Sequence, residues 1–244
     1  MHLRRAGFEN LRMGITPWDD VDGMDVLRAI EEYGRLCYKS EAAITDTSAV
    51  KFVADRIKQR HIALLDHLHI TAKFITDRGV SHEWLRHKLT EMLGVGCVEA
   101  IPDYDFAPMA VCQESSRYCN YMKSGGVVFI IPPWINSIPE GEYNHGTDCP
   151  SGLTRAESLW YYNKLQSEHT YIELLKAGWS PQQARGDLLI STKTEFIVTC
   201  SLTEWRHVMS QRTAKAAHPQ MREIMEPQLI SFRKKIPVIF DDLD

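Results

Sequence analysis

The sequence predicts an α+β fold in which helices accompany a mixed β-sheet. Three observations point there. Stretches with helical apolar spacing and alternating, β-rich stretches both occur in the 244 residues. They intermingle without the regular strand–helix–strand repeat of a parallel sheet. Hydrophobic residues make up 44% and charged residues 25%, an ordinary balance for a chain with a buried core. Neither an internal repeat nor a low-complexity segment interrupts it, so a single domain over 1–244, with room for a large insertion, is expected.

The elements follow in order. Met24, Leu27, Ile30, Leu36 and Cys37 give helical spacing over 23–39, and Val50, Val53, Ile57, Leu64 and Leu65 continue it over 47–67. Residues 69–76 alternate as a strand. Val80–Leu93 reads as a helix with Ser81 as its N-cap and Gly94 and Gly96 past its end. Residues 110–121 suit either an extended or a helical state. Val127–Ile131 is a β-rich run stopped by Pro132-Pro133, and the Pro, Gly, Asn and Asp of 135–152 read as a loop. Thr154–Ala177 is a long helix ended by Gly178, and Ser180-Pro181 opens a short helical turn with Pro at its first position. Lys193–Ser201 reads as a strand, Leu202–Arg212 and Pro219–Phe232 as helices.

Bulk properties narrow the function classes. A net charge of -4 does not suit a nucleic-acid binder. No apolar run approaches the roughly 20 residues of a membrane span, and the basic N-terminus lacks a following apolar signal segment, so a cytoplasmic location without membrane attachment is expected. None of the six cysteines forms a CxxC pair, which argues against a zinc ribbon or a thioredoxin-type motif. Most of them read as small apolar residues.

Four constellations could carry chemistry. In Ser81–Lys88 the histidines His82 and His87 are five apart, whereas a helical zinc pair needs i, i+4. The trio Arg86-His87-Lys88 suits an anionic ligand: Arg offers phosphate a two-pronged fork and Lys a point charge. A solvated basic helix end is the plain alternative. Gln113-Glu114-Ser115-Ser116-Arg117-Tyr118 gathers amide, hydroxyl and guanidinium groups able to meet a uracil edge and a phosphate. The third spans Arg185 to Arg212, with Ser201, Thr203 and His207 between; the last two share a helix face, and a helix start after Ser201 could hold a pyrophosphate. The fourth, His61, His67 and His69, reads as locally satisfied histidines rather than a metal site. Cys149-Pro150 lacks a nucleophile's surroundings. There is no GxGxxG and no P-loop.

Taken in order, these pieces resemble the flavin-dependent thymidylate synthases, the ThyX family. The resemblance runs from about residue 30 to 225. It includes Arg35–Ser40, His61–His67, Asp77–Lys88, Gln113–Tyr121, Phe129–Trp134, Lys193-Thr194-Glu195, Glu204–His207 and Ala216–Pro219. Ser115 follows Lys88 by 27 positions, a far wider gap than the family has, so an insertion within about 89–112 splits the signature.

The resemblance implies a ThyX-like fold and a homotetramer with sites at subunit interfaces. It implies reductive methylation of dUMP to dTMP, using methylenetetrahydrofolate, FAD and NADPH. The dUMP site would be lined by Glu83, Trp84, Leu85 and Arg86, with Gln113, Glu114, Ser115, Ser116 and Arg117 from a neighbouring subunit. Arg185 would reach the phosphate. Arg212 would lie against the pyrimidine and favour loss of its N3 proton, the catalytic role. FAD would meet Ala63, Arg86, His87, Lys88, Gln113, Ser201, Leu202, Thr203 and His207. No metal is implied. Ala63, Ser201 and Thr203 depart from the family pattern and remove donors to FAD. Those departures motivate two rival expectations: a relative that modifies another pyrimidine nucleotide, for example by hydroxymethylation, or a nucleotide-binding protein without catalysis.

Overall fold

A computed structural model of the chain describes residues 1–85, 109–144 and 150–243. Strands β1 (His2–Arg4), β2 (Gly7–Met13) and β3 (Thr16–Pro17) open it, followed by helices α1 (Gly23–Tyr38) and α2 (Ser48–Lys58) and a 3-10 helix over Ile62–His67. Then come β4 (His69–Asp77), α3 (Arg78–Leu85), β5 (Met109–Gln113), β6 (Val128–Ile130) and β7 (Gly141–Glu142). The chain continues through α4 (Arg155–Lys176), α5 (Pro181–Ala184), a 3-10 turn at Arg185–Asp187, β8 (Lys193–Ser201), α6 (Leu202–Arg212) and α7 (Pro219–Lys235). One sheet has the order β6-β1-β7, the other β3-β2-β4-β8-β5. The first is mixed: β1 runs parallel to β6, with Leu3 opposite Phe129, and antiparallel to β7. The α+β class and mixed sheet expected from the sequence are thus observed.

Among the described residues the chain forms two compact units, each built from discontinuous segments. The first comprises Met1–Gly7, Phe74–Leu85 and Cys112–Phe196; the second comprises 8–73, 109–111 and 197–243. In the first unit α4 supplies the organising face. Tyr161, Leu165, Glu168, Tyr171 and Leu175 are buried at helical spacing; all but Glu168 cluster with Leu3, Tyr121, Val127, Phe129 and Ile131, and Glu168 accepts from Val127 N–H at 2.9 Å. Thr154 caps α4 in a reciprocal box with Glu157. The Glu157 carboxyl lies below its usual range because Ser137 and Thr154 donate to it.

In the second unit Trp205 of α6 is the anchor. It is fully buried, donates its indole N–H to the Ile70 carbonyl at 3.0 Å and meets the Phe232 ring edge-on at 5.2 Å. Its neighbour Arg206 forks onto both Asp242 oxygens at 2.7 Å, which holds that carboxyl below its ordinary range. Helices α1 and α2 approach so closely that a Cβ on Gly34 would lie 2.6 Å from the Phe52 ring, so only glycine fits there.

Several local expectations are corrected. The single helix expected over 47–67 is broken after Lys58. Arg60 takes a left-handed φ of 60°, and the His61 N–H and Arg60 N–H return to the carbonyls of Arg56 and Ile57 at 2.9 Å. That is a Schellman closure built on arginine instead of glycine. Ser81 does not cap α3. Asp77 does, accepting from Val80 N–H at 2.8 Å, while Ser81 lies inside the helix and donates to the Arg78 carbonyl. Of the expected helix Val80–Leu93, the part beyond Leu85 lies outside the described residues. Residues 110–121 split into β5 and a turn, and the loop expected over 135–152 contains β7. Cys200 is buried, its thiol pushed up by desolvation, but Cys37 and Cys112 are exposed.

Replacing Trp205 with alanine is expected to lower stability by about 3–5 kcal/mol, the loss from emptying a large aromatic core position. A denaturant titration followed by far-UV circular dichroism measures it; a loss below about 1 kcal/mol would show that α6 is held by other contacts.

Candidate functional site

The expected site residues fall into two sets, one in each unit. In the first unit the Gln113–Tyr118 motif sits where β5 ends. The Gln113 side-chain amide donates to the Ser81 hydroxyl at 2.8 Å and to the Thr194 hydroxyl at 3.1 Å, which fixes it to α3 and β8. The Glu114 N–H donates to the Glu195 carbonyl at 2.8 Å. Beyond it the chain turns tightly. Ser115 accepts from Cys119 N–H through its carbonyl at 3.0 Å and from Arg117 N–H through its hydroxyl at 3.3 Å. Ser116 is buried, whereas Arg117 is exposed.

Arg117 meets α5. Its guanidinium donates to the Gln182 side-chain oxygen at 3.4 Å. Gln182 precedes Arg185 by one helical turn, and Arg185 is itself exposed. The fold therefore brings Arg117 to the short helix that leads into Arg185, two exposed arginines from distant parts of the sequence.

Behind this turn lies a polar network that the sequence reading missed. One Glu114 oxygen accepts from the Tyr121 hydroxyl at 2.9 Å and the other pairs with Lys193 Nζ at 3.0 Å. Lys193 also pairs with Glu195 at 2.7 Å. Arg78 donates to the Glu114 carbonyl at 3.3 Å. Burial, then the Glu114 charge, pushes the Tyr121 phenol up, and Arg78 partly opposes this. All five residues lie in the runs Asp77–Lys88, Gln113–Tyr121 and Lys193-Thr194-Glu195 that carry the resemblance, but the sequence does not show that they meet.

Other members of the first set stand differently. The Trp84 indole is 1% exposed and packs against Phe74 at 5.2 Å, so its ring belongs to the core. Glu83 and Leu85 are half-buried. Arg86, His87, Lys88 and the expected insertion up to residue 108 lie outside the described residues, as does Cys149. Lys164 of α4 is 6% exposed with its ammonium 4.9 Å from the Trp160 ring; burial lowers its pKa to about 8, against the attraction of Asp77. A hollow of about 160 Å³ between Asn163, Gln166, Ser167, Thr170, Asp187 and Leu189 offers amides, hydroxyls and a carboxylate but no cation.

The second set assembles around the start of α6. The Ser201 hydroxyl caps that helix, accepting from Glu204 N–H at 3.2 Å, and donates to Asp66 at 2.8 Å. Leu202 N–H donates to the Leu68 carbonyl at 2.9 Å, and the Thr203 hydroxyl to the Ile62 carbonyl at 3.1 Å. The structure thus packs Ser201, Leu202 and Thr203 against Leu68 and the 3-10 helix Ile62–His67, the element that carries Ala63. At this helix start two of the first amides and both hydroxyl protons are engaged within the protein. His207 is half-buried on the same helix beside the Gln211 amide at 3.1 Å, and Arg212 closes the helix, also half-buried. His61 bonds the Tyr38 hydroxyl at 2.8 Å, and His67 lies 5.0 Å from the Tyr33 ring, as locally satisfied histidines. Among the described residues no cluster of His, Cys, Asp and Glu is placed to hold a metal ion.

The fit to a flavin is therefore selective. Ser201 and Thr203 hold α6 against residues 62–68 and have no hydroxyl proton left for the cofactor. Of the described residues on that element, His207 offers a half-exposed imidazole suited to an aromatic ring.

Comparison with known proteins completes the site. A search of curated protein sequences gives no match. Among solved structures the chain is similar to a UMP/dUMP methylase, PolB from Streptomyces cacaoi, bound with 5-Br dUMP, at 19% identity and a TM-score of 0.67, covering 99% of this chain and 96% of that one. The same methylase bound with 5-Br UMP matches at 18% identity and a TM-score of 0.67, covering 99% and 95%. At such identities the likeness speaks for the fold. The description of the thymidylate synthase complementing proteins matches residues 21–238, which includes every candidate residue named above. On that span, the chain belongs to the thymidylate synthase complementing protein family, Thy1.

Proposed function

We propose that this chain is a flavin-dependent thymidylate synthase, which methylates the C5 position of dUMP to give dTMP. Methylenetetrahydrofolate supplies the carbon and NADPH the reducing equivalents. The observation that carries this reading is the hydrogen bond from Arg117, in a serine turn, to Gln182 of α5, the helix that leads into Arg185, in a chain of this family. Two guanidinium groups suit a nucleotide phosphate. Ser115, in the same turn as Arg117, suits the uracil edge, and the Gln113 amide, its N–H groups given to Ser81 and Thr194, would meet it through its oxygen.

Bound FAD would carry hydride to the transferred carbon. Arg86, His87 and Lys88 would hold its anionic part, and His207 would lie against its ring, in a homotetramer with sites at subunit interfaces. Arg212 would stabilise negative charge on the uracil as its N3 proton leaves. Glu83, Trp84 and Leu85 would shape the site from α3, the tryptophan through its backbone because its ring is buried. A second reading, a methylase that also accepts UMP, is favoured by the similar methylase and its two bound bromouridylates. Competition between UMP and dUMP for one site separates the two.

Two outcomes check the proposal. The Arg117→Ala and Arg185→Ala variants should each lose about 2–5 kcal/mol of dUMP binding in calorimetry, the cost of removing one partner of a desolvated charge pair; unchanged affinity in both would remove dUMP from this place. The purified protein should be yellow, or become so with added FAD, and should bleach when NADPH is supplied anaerobically. A colourless protein that takes up no added FAD would favour the non-catalytic rival.

A further inference from the structure

Resting on the dUMP reading above, we propose that Arg78, Glu114, Tyr121, Lys193 and Glu195 form a brace that sets the Ser115–Arg117 turn and so governs nucleotide affinity without touching the nucleotide. Glu114 is then a positioning residue rather than a substrate contact.

The geometry closes on itself. Residues 114 and 121 bound the turn, and the Tyr121 hydroxyl to Glu114 bond at 2.9 Å ties those two ends together. Glu114 spends its second oxygen on Lys193 at 3.0 Å, so each carboxylate oxygen already has a protein partner. Its backbone is held on both sides, by N–H donation to Glu195 and by carbonyl acceptance from Arg78. Tyr121 is fixed in turn by its ring, 5.8 Å from that of Tyr171, and by its N–H, which reaches the Tyr171 hydroxyl at 3.4 Å.

Two carboxylates, one ammonium and one guanidinium balance in charge. The side chains of Lys193 and Glu114 are 17% and 16% exposed, so the pair is shielded enough for its direction to matter. Burying such a pair is a weak source of stability, since desolvation opposes the Coulomb gain; its better-attested use is to fix one conformation among several. The conformation fixed here is the turn that turns Arg117 toward Gln182.

A double-mutant cycle tests this on the full chain. Lys193→Met removes the charge at similar length, and Lys193→Arg restores it. If the brace acts through Arg117, Lys193→Met should weaken dUMP binding about tenfold in the parent but less than twofold in an Arg117→Ala background, with Lys193→Arg recovering most of the loss. Equal losses in both backgrounds, or parental affinity in Lys193→Met, would overturn the proposal. Should Lys193→Met fail to fold, Tyr121→Phe removes a single hydroxyl and runs through the same cycle. Amide hydrogen exchange of the ligand-free protein gives an independent reading. The peptide covering 114–121 should exchange at least about tenfold faster in the variant while peptides of α4 do not change. Unchanged exchange over 114–121 would overturn the brace. Faster exchange there in a chain whose parent binds no dUMP would support the brace and reject the nucleotide reading instead.

Discussion

The ion pair between Glu114 and Lys193 is the interaction on which the first unit's candidate site turns. It joins the end of β5 to the start of β8 across 79 positions of sequence. It works with the Tyr121 and Arg78 contacts to hold a closed turn in which Ser116 is buried, Ser115 half-buried and Arg117 exposed. Without the pair, a half-buried carboxylate would stand against the tyrosine with its second oxygen unmatched, a cost larger than the net gain of making the bond. The polar brace is therefore a device for specifying shape. Its packing support is apolar and lies behind it, where Tyr121 and Tyr171 share the core of α4.

The second unit follows a related logic with neutral groups. Ser201 and Thr203 stand where the family resemblance suggested cofactor contacts, yet their hydroxyls bind Asp66 and the Ile62 carbonyl. They act on α6, and α6 carries His207 and Arg212. Trp205 fixes the same helix from its buried side. At Ser201 and Thr203 the hydroxyl seats the helix on residues 62–66.

What the sequence revealed depended on whether its signal was local. Helix α4 was legible at both ends because Thr154 and Glu157 form a capping box and Gly178 supplies a left-handed residue, with φ of 96°. The close of α2 used the same geometry at Arg60, and that of α1 at Lys39, with φ of 49°. Neither residue advertises a left-handed conformation, and the apolar spacing from Ile57 to Leu64 runs on through the break. Strand β1 escaped notice because three residues give no period; its partners β6 and β7 come from far along the chain. Ser81 reads as the cap in place of Asp77 because β4 passes into α3 without a loop. The candidate site was legible only as residue types, among them Arg117, Arg185, Ser115 and His207. What each side chain is free to do was not legible. Trp84 looks equally able to line a pocket or fill a core until Phe74 and Phe196 are seen beside it. Glu114 looks like a ligand donor until Lys193 and Tyr121 take its oxygens.

The central claim is that these residues serve C5 methylation of dUMP, and release of tritium from 5-tritiated dUMP tests it most directly. The account predicts release into water that requires methylenetetrahydrofolate, NADPH and FAD together, with dTMP appearing in step. Binding of dUMP without tritium release or dTMP, in protein loaded with FAD and supplied with both co-substrates, would contradict it.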